Sequence, residues 1–509
     1  MLKKKAEIMP GDIAFRYRKG RNGVEEKSYA DVLSEVKKAA SWVSSTYGKN
    51  THIAIIGENS YEWLIAFLSV LTSGNVAVPV DKELPADEIA WLLDRADVTA
   101  AFISKTYSDL VEGIENLDVV TLKALQEKQG EDPEGFELYE PQKADELACI
   151  FFTSGTSGRS KGVMLSHGNL AAEIYGPARL VDPQGKSTLA VLPFHHTFGL
   201  NVSVLAVYNY GVTIFLNKSL KRVTDDIELA KPDMLFLVPM FIEVFYKRIM
   251  DGIKDSGKEK KVKTGAFLSS LLLKFGIDKR RSMFSEIIEK FGGNLKWIVC
   301  GGAHLDPFYV KEFRKFGIEI LNGYGTTECS PCVAVNRNYY RRDGSVGQLI
   351  ENMQVRISPE GEVQFKGPVT MLGYYKDPEG TEAVLKDGWY STGDLGYVDD
   401  QGFIFLTGRI KNLIILSNGE NISPEELENN FQIDPGVKEV LVYEKDRKII
   451  AEIFPEEEYA GNQEYFDALM EKVNKGRPAY KQIARVVLRD QEFIKNSTKK
   501  IVRYKNITN

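Results

Sequence analysis

An alternation between short apolar runs and helical patterns, beginning at Thr51, constrains the fold of this chain more than any other feature of its sequence. Strands that are apolar along nearly their whole length are typical of parallel sheets covered by helices. The same alternation returns in residues 188–238 and 297–321. We therefore predict an α/β fold with more than one sheet of parallel βαβ units. The first predicted strands and helices alternate strictly: 53–56, 62–72, 76–80, 86–95 and 98–103.

The chain is too long for one hydrophobic core, because its 509 residues exceed the size at which domains usually divide. Between residues 346 and 406 the pattern changes to short alternating runs, which predict a small antiparallel β subdomain. Beyond Gly408 the pattern becomes α+β with many charges. We expect a large N-terminal domain over residues 1–408, a hinge at 409–411 and a small, mobile α+β C-terminal domain over 412–509.

Composition and charge argue against several classes of protein. The formal net charge of −6 gives no reason to expect a nucleic acid partner. Four cysteines are too few and too scattered for a disulfide framework, which fits a reducing cytoplasm. The basic N-terminus is not followed by an apolar core, and no uncharged apolar run approaches the roughly 18 residues that span a membrane. We expect a cytoplasmic protein.

A loop of glycines and hydroxylated residues follows the apolar run 148–152 and ends in Lys161. Such a loop suits phosphate, because glycines let backbone amides approach, hydroxyls donate hydrogen bonds and a lysine supplies charge. It is not a P-loop of the G-x-x-x-x-G-K-[ST] kind, since Ser160 stands five residues after Gly155. An ordinary glycine-rich turn is the alternative. The candidate phosphate-binding residues are Thr153, Ser154, Gly155, Thr156, Ser157, Gly158 and Lys161.

Further motifs follow in a fixed order: Pro-Phe-His-His-Thr-Phe-Gly from Pro193, Cys-Gly-Gly-Ala from Cys300, Asn-Gly-Tyr-Gly-Thr-Thr-Glu from Asn322, Trp-Tyr-Ser-Thr-Gly-Asp from Trp389 and Thr-Gly-Arg-Ile-Lys from Thr407. With the loop before Lys161, this order resembles the signatures of the adenylate-forming superfamily. That superfamily contains acyl-CoA synthetases, adenylation domains of peptide synthetases and firefly-type luciferases. The resemblance spans nearly the whole chain and implies an enzyme that binds ATP.

The resemblance implies where the nucleotide and its metal would bind. Tyr324 would stack on the adenine, Thr327 would hydrogen-bond the α-phosphate, and Glu328 would hold magnesium, a hard cation suited to carboxylate and phosphate oxygens. His196 would lie beside the acyl and adenylate pocket as a catalytic residue. The other implied nucleotide-binding residues are Gly301, Gly302, Ala303, Asn322, Gly323, Gly325 and Thr326.

The later motifs resemble those that reach the ribose and move the C-terminal domain. By resemblance, Asp394 accepts hydrogen bonds from both ribose hydroxyls, and Arg409 reaches ribose and phosphate. Lys411 falls on the hinge position, and Gly419 begins a loop that, in relatives, helps form the tunnel for the pantetheine thiol. The catalytic lysine of the tail would be Lys500. Relatives carry a glycine before it, where this chain has Lys499, so Lys499 is a rival candidate.

Two short patterns invite a metal interpretation. His195 and His196 are adjacent, but neighbours in an extended segment point in opposite directions, and no third ligand is evident. Cys329 and Cys332 form a C-x-x-C pair without the second pair of a zinc site or the βαβ context of a redox site. We predict no zinc site at either pattern.

A lysine-rich stretch at 254–263 precedes the apolar stretch 266–273. One interpretation is a solvated loop followed by a packed helix. The other is a basic, amphipathic element that contacts a membrane surface. The segment resembles the insertion that precedes the Gly-Gly-Ala motif in long-chain acyl-CoA synthetases, so it bears on the substrate class.

The resemblance implies a reaction. An acid, favoured here as a fatty acid, would react with ATP and Mg2+ to give acyl-AMP and pyrophosphate, and coenzyme A would then take the acyl group. One alternative loads an acyl or aryl acid onto the phosphopantetheine of a carrier protein. Another is a binding homologue that has lost catalysis, against which the full set of site residues argues.

Overall fold

The structure, a computed structural model, describes residues 1–20, 23–130, 132–153, 160–177, 181, 187–415, 421–495 and 501–507. Contacts between residues divide the chain into two units. The first comprises Met1–Val355 and Phe365–Tyr390, and the second comprises Arg356–Gln364 and Ser391–Asn509. The hinge predicted at 409–411 stays a prediction.

The first unit is built on two sheets. One runs in the order β18 (Gly373–Tyr374), β8 (Lys161–Ser166), β7 (Leu147–Thr153), β4 (Val76–Val80), β3 (His52–Ile56), β5 (Val98–Ile103), β6 (Asp118–Thr121). The other runs in the order β15 (Gln348–Leu349), β14 (Cys332–Val335), β13 (Glu319–Gly325), β12 (Trp297–Cys300), β11 (Met234–Leu237), β9 (Ser187–Ala190), β10 (Thr213–Leu216), β1 (Ile13–Lys19), β2 (Gly23–Ser28).

The pairing of the central strands confirms the predicted α/β fold. Strand β3 pairs in parallel with both β4 and β5, and β11, β12 and β13 pair in parallel in succession. Strands β4 and β5 have the predicted bounds, because each is an apolar run that ends at polar or turn-forming residues. The side chains of β4 are buried throughout, as expected for a parallel strand covered on both faces.

Helices connect these strands and cover their faces. The α-helices of the first unit are α1 (Leu2–Ile8), α2 (Tyr29–Tyr47), α3 (Tyr61–Thr72), α4 (Ala86–Arg95), α5 (Leu122–Gln126), α6 (His167–Tyr175), α7 (Val207–Asn209), α8 (Val223–Ala230), α9 (Pro239–Asp255), α10 (Glu259–Lys274), α11 (Arg280–Met283), α12 (Ser285–Glu289), α13 (Pro307–Lys315) and α14 (Pro378–Val384). A π-helix, Phe198–Ala206, follows the two adjacent histidines. Among the residues that the structure describes, no helix is long and apolar enough to cross a membrane.

The predicted antiparallel segment contains β16 (Gln354–Ile357), β17 (Glu362–Lys366), β19 (Leu385–Lys386), β20 (Trp389–Val398) and β21 (Ile404–Arg409). Strands β19 and β21 each pair antiparallel with β20, as predicted. The rest of the second unit is α+β, with β22 (Ile414–Ile415), β23 (Asn421–Ile422), α15 (Pro424–Gln432), β24 (Val437–Lys445), β25 (Lys448–Pro455), α16 (Gln463–Asn474), β26 (Arg485–Leu488) and α17 (Arg503–Asn506). Leu427, Phe431, Val442 and Phe466 are fully buried in its core.

The lysine-rich stretch differs from the expectation of a solvated loop and a packed helix. Helix α9 continues to Asp255, and α10 begins at Glu259, so most of the stretch is helical. Lysine and glutamate have good helix propensity, which accounts for this difference. Ser269 is the one buried residue assigned to α10, so this helix packs on the protein through one side only.

Candidate functional site

Parallel strands place the predicted nucleotide-binding residues at one edge of a sheet. Strands β12 and β13 pair so that Cys300 lies opposite Asn322, and the Gly-Gly-Ala and Asn-Gly-Tyr-Gly motifs therefore lie side by side. A side chain on Gly301 would place its Cβ 3.5 Å from the ring of Phe198 and 3.6 Å from the carbonyl oxygen of Gly323. The carboxyl ends of strands in open α/β sheets are where ligands usually bind.

Gly325 allows the chain to fold back directly after β13. A Cβ at this position would lie 1.8 Å from the carbonyl oxygen of Pro331, so no other residue fits without a shift of the backbone. The Thr326 N–H donates a 3.0 Å hydrogen bond to the same oxygen. This close approach places Thr327 and Glu328 on a short 3₁₀ turn, Thr327–Cys329, at the edge of the sheet.

A cluster of side chains joins the phosphate-loop motif to the Glu328 motif. The Tyr374 hydroxyl donates a 2.9 Å hydrogen bond to Oε1 of Glu328. On the other side, the Lys161 Nζ lies 4.5 Å from the centre of the Tyr374 ring and 3.4 Å from Oδ2 of Asp377. We call Lys161, Tyr374 and Glu328 the site cluster. It brings together two predicted residues from distant motifs, and Tyr374 connects them.

The local fold holds the site cluster in place. Strands β7 and β8 form an antiparallel pair in which Thr153 lies opposite Lys161, so the strands bracket the candidate phosphate loop. Strand β18 adds Tyr374 beside Val163 of β8. The Met371 N–H also donates a 2.8 Å hydrogen bond to the carbonyl oxygen of Glu328.

The electrostatics keep Tyr374 a hydrogen-bond donor. Burial, followed by the charge of Glu328, raises the pKa of Tyr374 well above its ordinary value. The phenol therefore stays protonated at neutral pH and donates to the carboxylate. Sequence reasoning did not single out Tyr374 or Asp377. The sequence shows only an aromatic pair, Tyr374-Tyr375, before Asp377-Pro378. The pair has no recognisable role until the fold places Tyr374 next to Glu328.

The two histidines differ from the sequence expectation. The segment turns at this point, with the His196 N–H donating to the Pro193 carbonyl oxygen at 3.2 Å, and the two imidazole centroids lie only 4.3 Å apart. The prediction that the rings point in opposite directions was wrong, because it assumed an extended backbone. His196 remains a candidate for the acyl side of the site.

Asp81 is a further residue at this place that sequence reasoning missed. It follows β4 directly, and its Oδ1 lies 3.4 Å from Nε2 of His195, with both side chains only 10% exposed. Burial alone would raise the pKa of Asp81, but the hydrogen bond and charge of His195 outweigh it and hold this pKa well below its usual range. The sequence feature that could have identified Asp81 is its position at the carboxyl end of a predicted parallel strand.

The donor chemistry of Glu328 fits a magnesium ion. Its carboxylate is half-buried, and among the described residues it forms no salt bridge that would neutralise its charge. Carboxylate oxygens are ligands that magnesium prefers, and the neighbouring Thr327 adds a hydroxyl. Among the described residues, Glu328 included, no group of three or more His, Cys, Asp or Glu side chains could hold a metal. Burial raises the pKa of the Cys329 and Cys332 thiols, which disfavours the thiolate that a metal needs.

The second unit brings two other predicted residues together. Strands β20 and β21 place Asp394 opposite Arg409, and the Arg409 Nε lies 2.6 Å from Oδ1 of the buried Asp394. Lys411 follows on a short 3₁₀ turn, Ile410–Asn412. Burial, followed by the charge of Arg409, lowers the pKa of Lys411. This arrangement provides the carboxylate and the guanidinium that the resemblance assigns to ribose and phosphate.

Part of the predicted site lies outside the described residues. This applies to most of the candidate phosphate loop, to the candidate pantetheine loop and to both candidate lysines of the tail: Ser154, Gly155, Thr156, Ser157, Gly158, Gly419, Lys499 and Lys500. Their roles remain predictions.

Comparison with known proteins identifies the family. The profile described as "AMP-binding enzyme" matches residues 2–375, and "AMP-binding enzyme C-terminal domain" matches residues 411–508. Among curated proteins, the long-chain-fatty-acid–CoA ligase FadD15 of Mycobacterium bovis is 26% identical over 448 residues, which is 81% of this chain and 74% of the relative. The long chain acyl-CoA synthetase 4 of Arabidopsis thaliana is 27% identical over 476 residues, 82% of this chain and 71% of the relative.

Solved structures share the fold at lower identity. The o-succinylbenzoate CoA synthetase of Bacillus subtilis, solved with its acyl-adenylate intermediate, superposes with a TM-score of 0.78 at 22% identity, covering 99% of this chain and 97% of that one. An anthranilate CoA ligase in complex with anthranoyl-AMP gives a TM-score of 0.81 at 18% identity, covering 99% and 95%. The family profiles span nearly the whole sequence, and they agree with the motif order and with the fold. The chain therefore belongs to the family of AMP-binding enzymes.

Proposed function

We propose that this enzyme converts a fatty acid to its coenzyme A thioester through an acyl-AMP intermediate. The observation that carries the proposal is the site cluster, in which Lys161 and Glu328 come together through Tyr374. A cation and a carboxylate at one place suit the binding of a triphosphate together with its metal.

The first step must bring an anionic acid to an anionic triphosphate, so positive charge has to offset the repulsion. The acid's carboxylate oxygen attacks the α-phosphorus, the bond from that phosphorus to the bridging oxygen breaks, and pyrophosphate leaves. Lys161 and the hydroxyls of Thr153 and Thr327 would bind phosphate oxygens. Magnesium, which Glu328 would hold with the help of Thr327, supplies further positive charge when bound.

In the second step the thiol of coenzyme A attacks the acyl carbon of the mixed anhydride. A carbon–sulfur bond forms, the bond from carbon to the phosphate oxygen breaks, AMP leaves, and the thiol proton passes to solvent. The remaining assignments rest on the resemblance: Asp394 and Arg409 for the ribose, His196 for the acyl side, Lys411 for the hinge, Gly419 for the pantetheine loop and Lys500 for the adenylation step.

Relatives support a fatty acid as the substrate. The curated proteins reported above are named as ligases of long-chain fatty acids or as long-chain acyl-CoA synthetases, and each aligns with more than four fifths of this chain. The solved neighbours named as o-succinylbenzoate and anthranilate ligases support an aryl acid as the second candidate. Transfer to the phosphopantetheine of a carrier protein is the alternative for the acceptor.

We also propose a cytoplasmic enzyme with peripheral membrane contact. All four cysteines are free in the structure, as expected in a reducing compartment. A fatty acid substrate partitions into bilayers, so an enzyme that takes it would benefit from contact with a membrane surface.

The test is release of pyrophosphate with Mg2+ and ATP, measured across acids from acetate to palmitate and across benzoates, with and without coenzyme A. A rate that increases with chain length, and turnover that needs coenzyme A, would support the proposal. Release with an aryl acid alone would replace the fatty acid with the second candidate. AMP release that requires a holo carrier protein would replace the acceptor. No release with any acid, while ATP still binds, would overturn the proposal.

A further inference from the structure

Helix α10 points its large apolar side chains away from the protein. Phe267 is 69% exposed, and Phe275, directly after the helix, is 75% exposed. The exposed large apolar residues of this segment are Phe267, Leu268, Leu271, Leu273, Phe275 and Ile277. Single exposed apolar side chains are ordinary, but a contiguous group marks a surface that binds something.

The residues that α10 turns toward the protein are smaller. The helix rests on α9, α11 and α13. Its less exposed residues follow helical spacing and are Val262, Gly265, Ala266, Ser269 and Leu272. A Cβ on Gly265 would lie 3.5 Å from the ring of Phe284, so this side of the helix packs closely. Most of the large apolar residues of this stretch thus lie on the outside of the helix, and Leu272 is the exception.

Lysines lie among the exposed apolar side chains. Residues 260, 263, 267, 271 and 274 share one face, because they recur at three- and four-residue spacing. We call Lys260, Lys263, Phe267, Leu271 and Lys274 the outward face. None of these three lysines has a salt bridge among the described residues. Glu259 is the only acidic residue assigned to α10, although the whole chain carries a net charge of −6.

We infer that the outward face docks on the surface of an anionic lipid bilayer. Aromatic and leucine side chains would enter the boundary between headgroups and acyl chains. The lysines would keep their amino groups among the phosphates while their alkyl stems lie against the apolar side chains. The local positive charge on an acidic protein favours an anionic surface over a neutral one. Delivery of a membrane-dissolved acid to the site rests on the proposed function, but the docking itself does not.

The experiment is sedimentation of the full-length protein with vesicles of phosphatidylcholine alone and with vesicles that also contain phosphatidylglycerol. We expect binding to the anionic vesicles, reversed by salt. The double variant Phe267→Ser/Leu271→Ser should lower the partition coefficient about tenfold or more. The triple variant Lys260→Gln/Lys263→Gln/Lys274→Gln should lower it by about fivefold for each lysine.

The matched control is Leu220→Ser, which removes a leucine that is 59% exposed elsewhere on the first unit. It should bind vesicles as the wild type does. Failure of the wild type to sediment with anionic vesicles would overturn the inference. Equal binding to both kinds of vesicle, unchanged in the lysine variant, would overturn it as well. A dimer that the double variant abolishes, without vesicle binding by the wild type, would assign the outward face to a second copy of the chain.

Activity with a short, water-soluble acid separates the docking inference from the proposed function. The double variant should keep wild-type turnover of octanoate in the absence of vesicles, because its substitutions lie on an exposed helix face. Vesicle binding by a protein inactive on every acid would retain the docking surface and reject the proposed function. Full ligase activity with no vesicle binding would retain the proposed reaction and reject both the docking surface and the proposed membrane contact.

Discussion

The site cluster and the outward face of α10 distribute polar and apolar side chains in opposite ways. In the cluster, Lys161, Tyr374 and Glu328 face one another in the protein, and each has a polar or aromatic partner. On the outward face, Phe267 and Leu271 face solvent among lysines. Buried polar groups are stable only when they are paired, and exposed apolar groups acquire a role only when something covers them. The first region is therefore suited to chemistry and the second to docking.

The largest expected effect comes from removing the charge of the cluster. Glu328→Gln keeps the size of the side chain but weakens its hold on magnesium, so we expect kcat/KM for pyrophosphate release to fall by about a hundred- to a thousand-fold. The matched control is Glu382→Gln, on the exposed surface of α14, which should keep wild-type activity. Unchanged activity of the Glu328 variant at every magnesium concentration would remove this residue from the site.

A smaller effect is expected from removing the donor between the two motifs. Tyr374→Phe deletes the hydroxyl that donates to Glu328, and a hydrogen bond to a charged group contributes about 1.5–3 kcal/mol. We therefore expect a loss of about tenfold or more in kcat/KM for ATP.

The neighbouring Tyr375→Phe is the control, because its hydroxyl donates at 2.7 Å to an exposed carboxylate, that of Asp97. It should change kcat/KM by less than about twofold. Equal losses in the two variants would mean that Tyr374 acts through general packing and not through Glu328.

The pair of Asp81 and His195 provides a pH test. The folded-state pKa of Asp81 is lowered, so its contribution to stability is present above the unfolded value of about 4 and is lost as pH falls through the folded value. Asp81→Asn should lower the free energy of unfolding by about 1–2 kcal/mol at pH 7.

Thermal unfolding from neutral to acidic pH measures the difference in stability between the wild type and Asp81→Asn. This difference should shrink toward zero as the pH falls below about 4. The exposed Asp109→Asn is the control and should show no such trend. A difference between wild type and Asp81→Asn that is the same at acidic and neutral pH would contradict a stabilising contact between Asp81 and His195.

The smallest effect is expected at the outward face. Phe267→Ser should change the free energy of unfolding by no more than about 0.5 kcal/mol, because the ring is 69% exposed. Phe284 is the buried counterpart, because it is 5% exposed and lies beneath Gly265. Phe284→Ala should lower the free energy of unfolding by about 3–5 kcal/mol. A large destabilisation by Phe267→Ser would show that this ring is packed in solution.

The strands were predictable where the chain gives a single strong signal. Val76–Val80 and Val98–Ile103 are apolar runs between turn signals, and the structure confirms their bounds. The orientation of α10 could not be predicted, because periodicity shows an apolar stripe but not which of its members meet the protein. Gly265, Ala266 and Ser269 pack inward because small residues let the helix approach its neighbours, and that depends on the neighbours.

The candidate site was predictable as motifs but not as contacts. Lys161 and Glu328 are prominent because each ends a run of glycines and hydroxylated residues. Tyr374 stands 46 positions after Glu328 and becomes its hydrogen-bond donor only through the pairing of β18 with β8. The two histidines were misjudged for a different reason, since a local turn from Pro193 to His196 replaces the extended backbone that the prediction assumed.

The most direct test of the central claim uses a fatty acid labelled with heavy oxygen in its carboxyl group. Turnover with ATP, Mg2+ and coenzyme A should transfer one labelled oxygen to AMP, because attack of the carboxylate on the α-phosphorus leaves that oxygen on the phosphate. Mass spectrometry of the AMP measures the transfer. Label found in phosphate or pyrophosphate, or acyl-CoA formed with unlabelled AMP, would contradict adenylation as the reaction of this site.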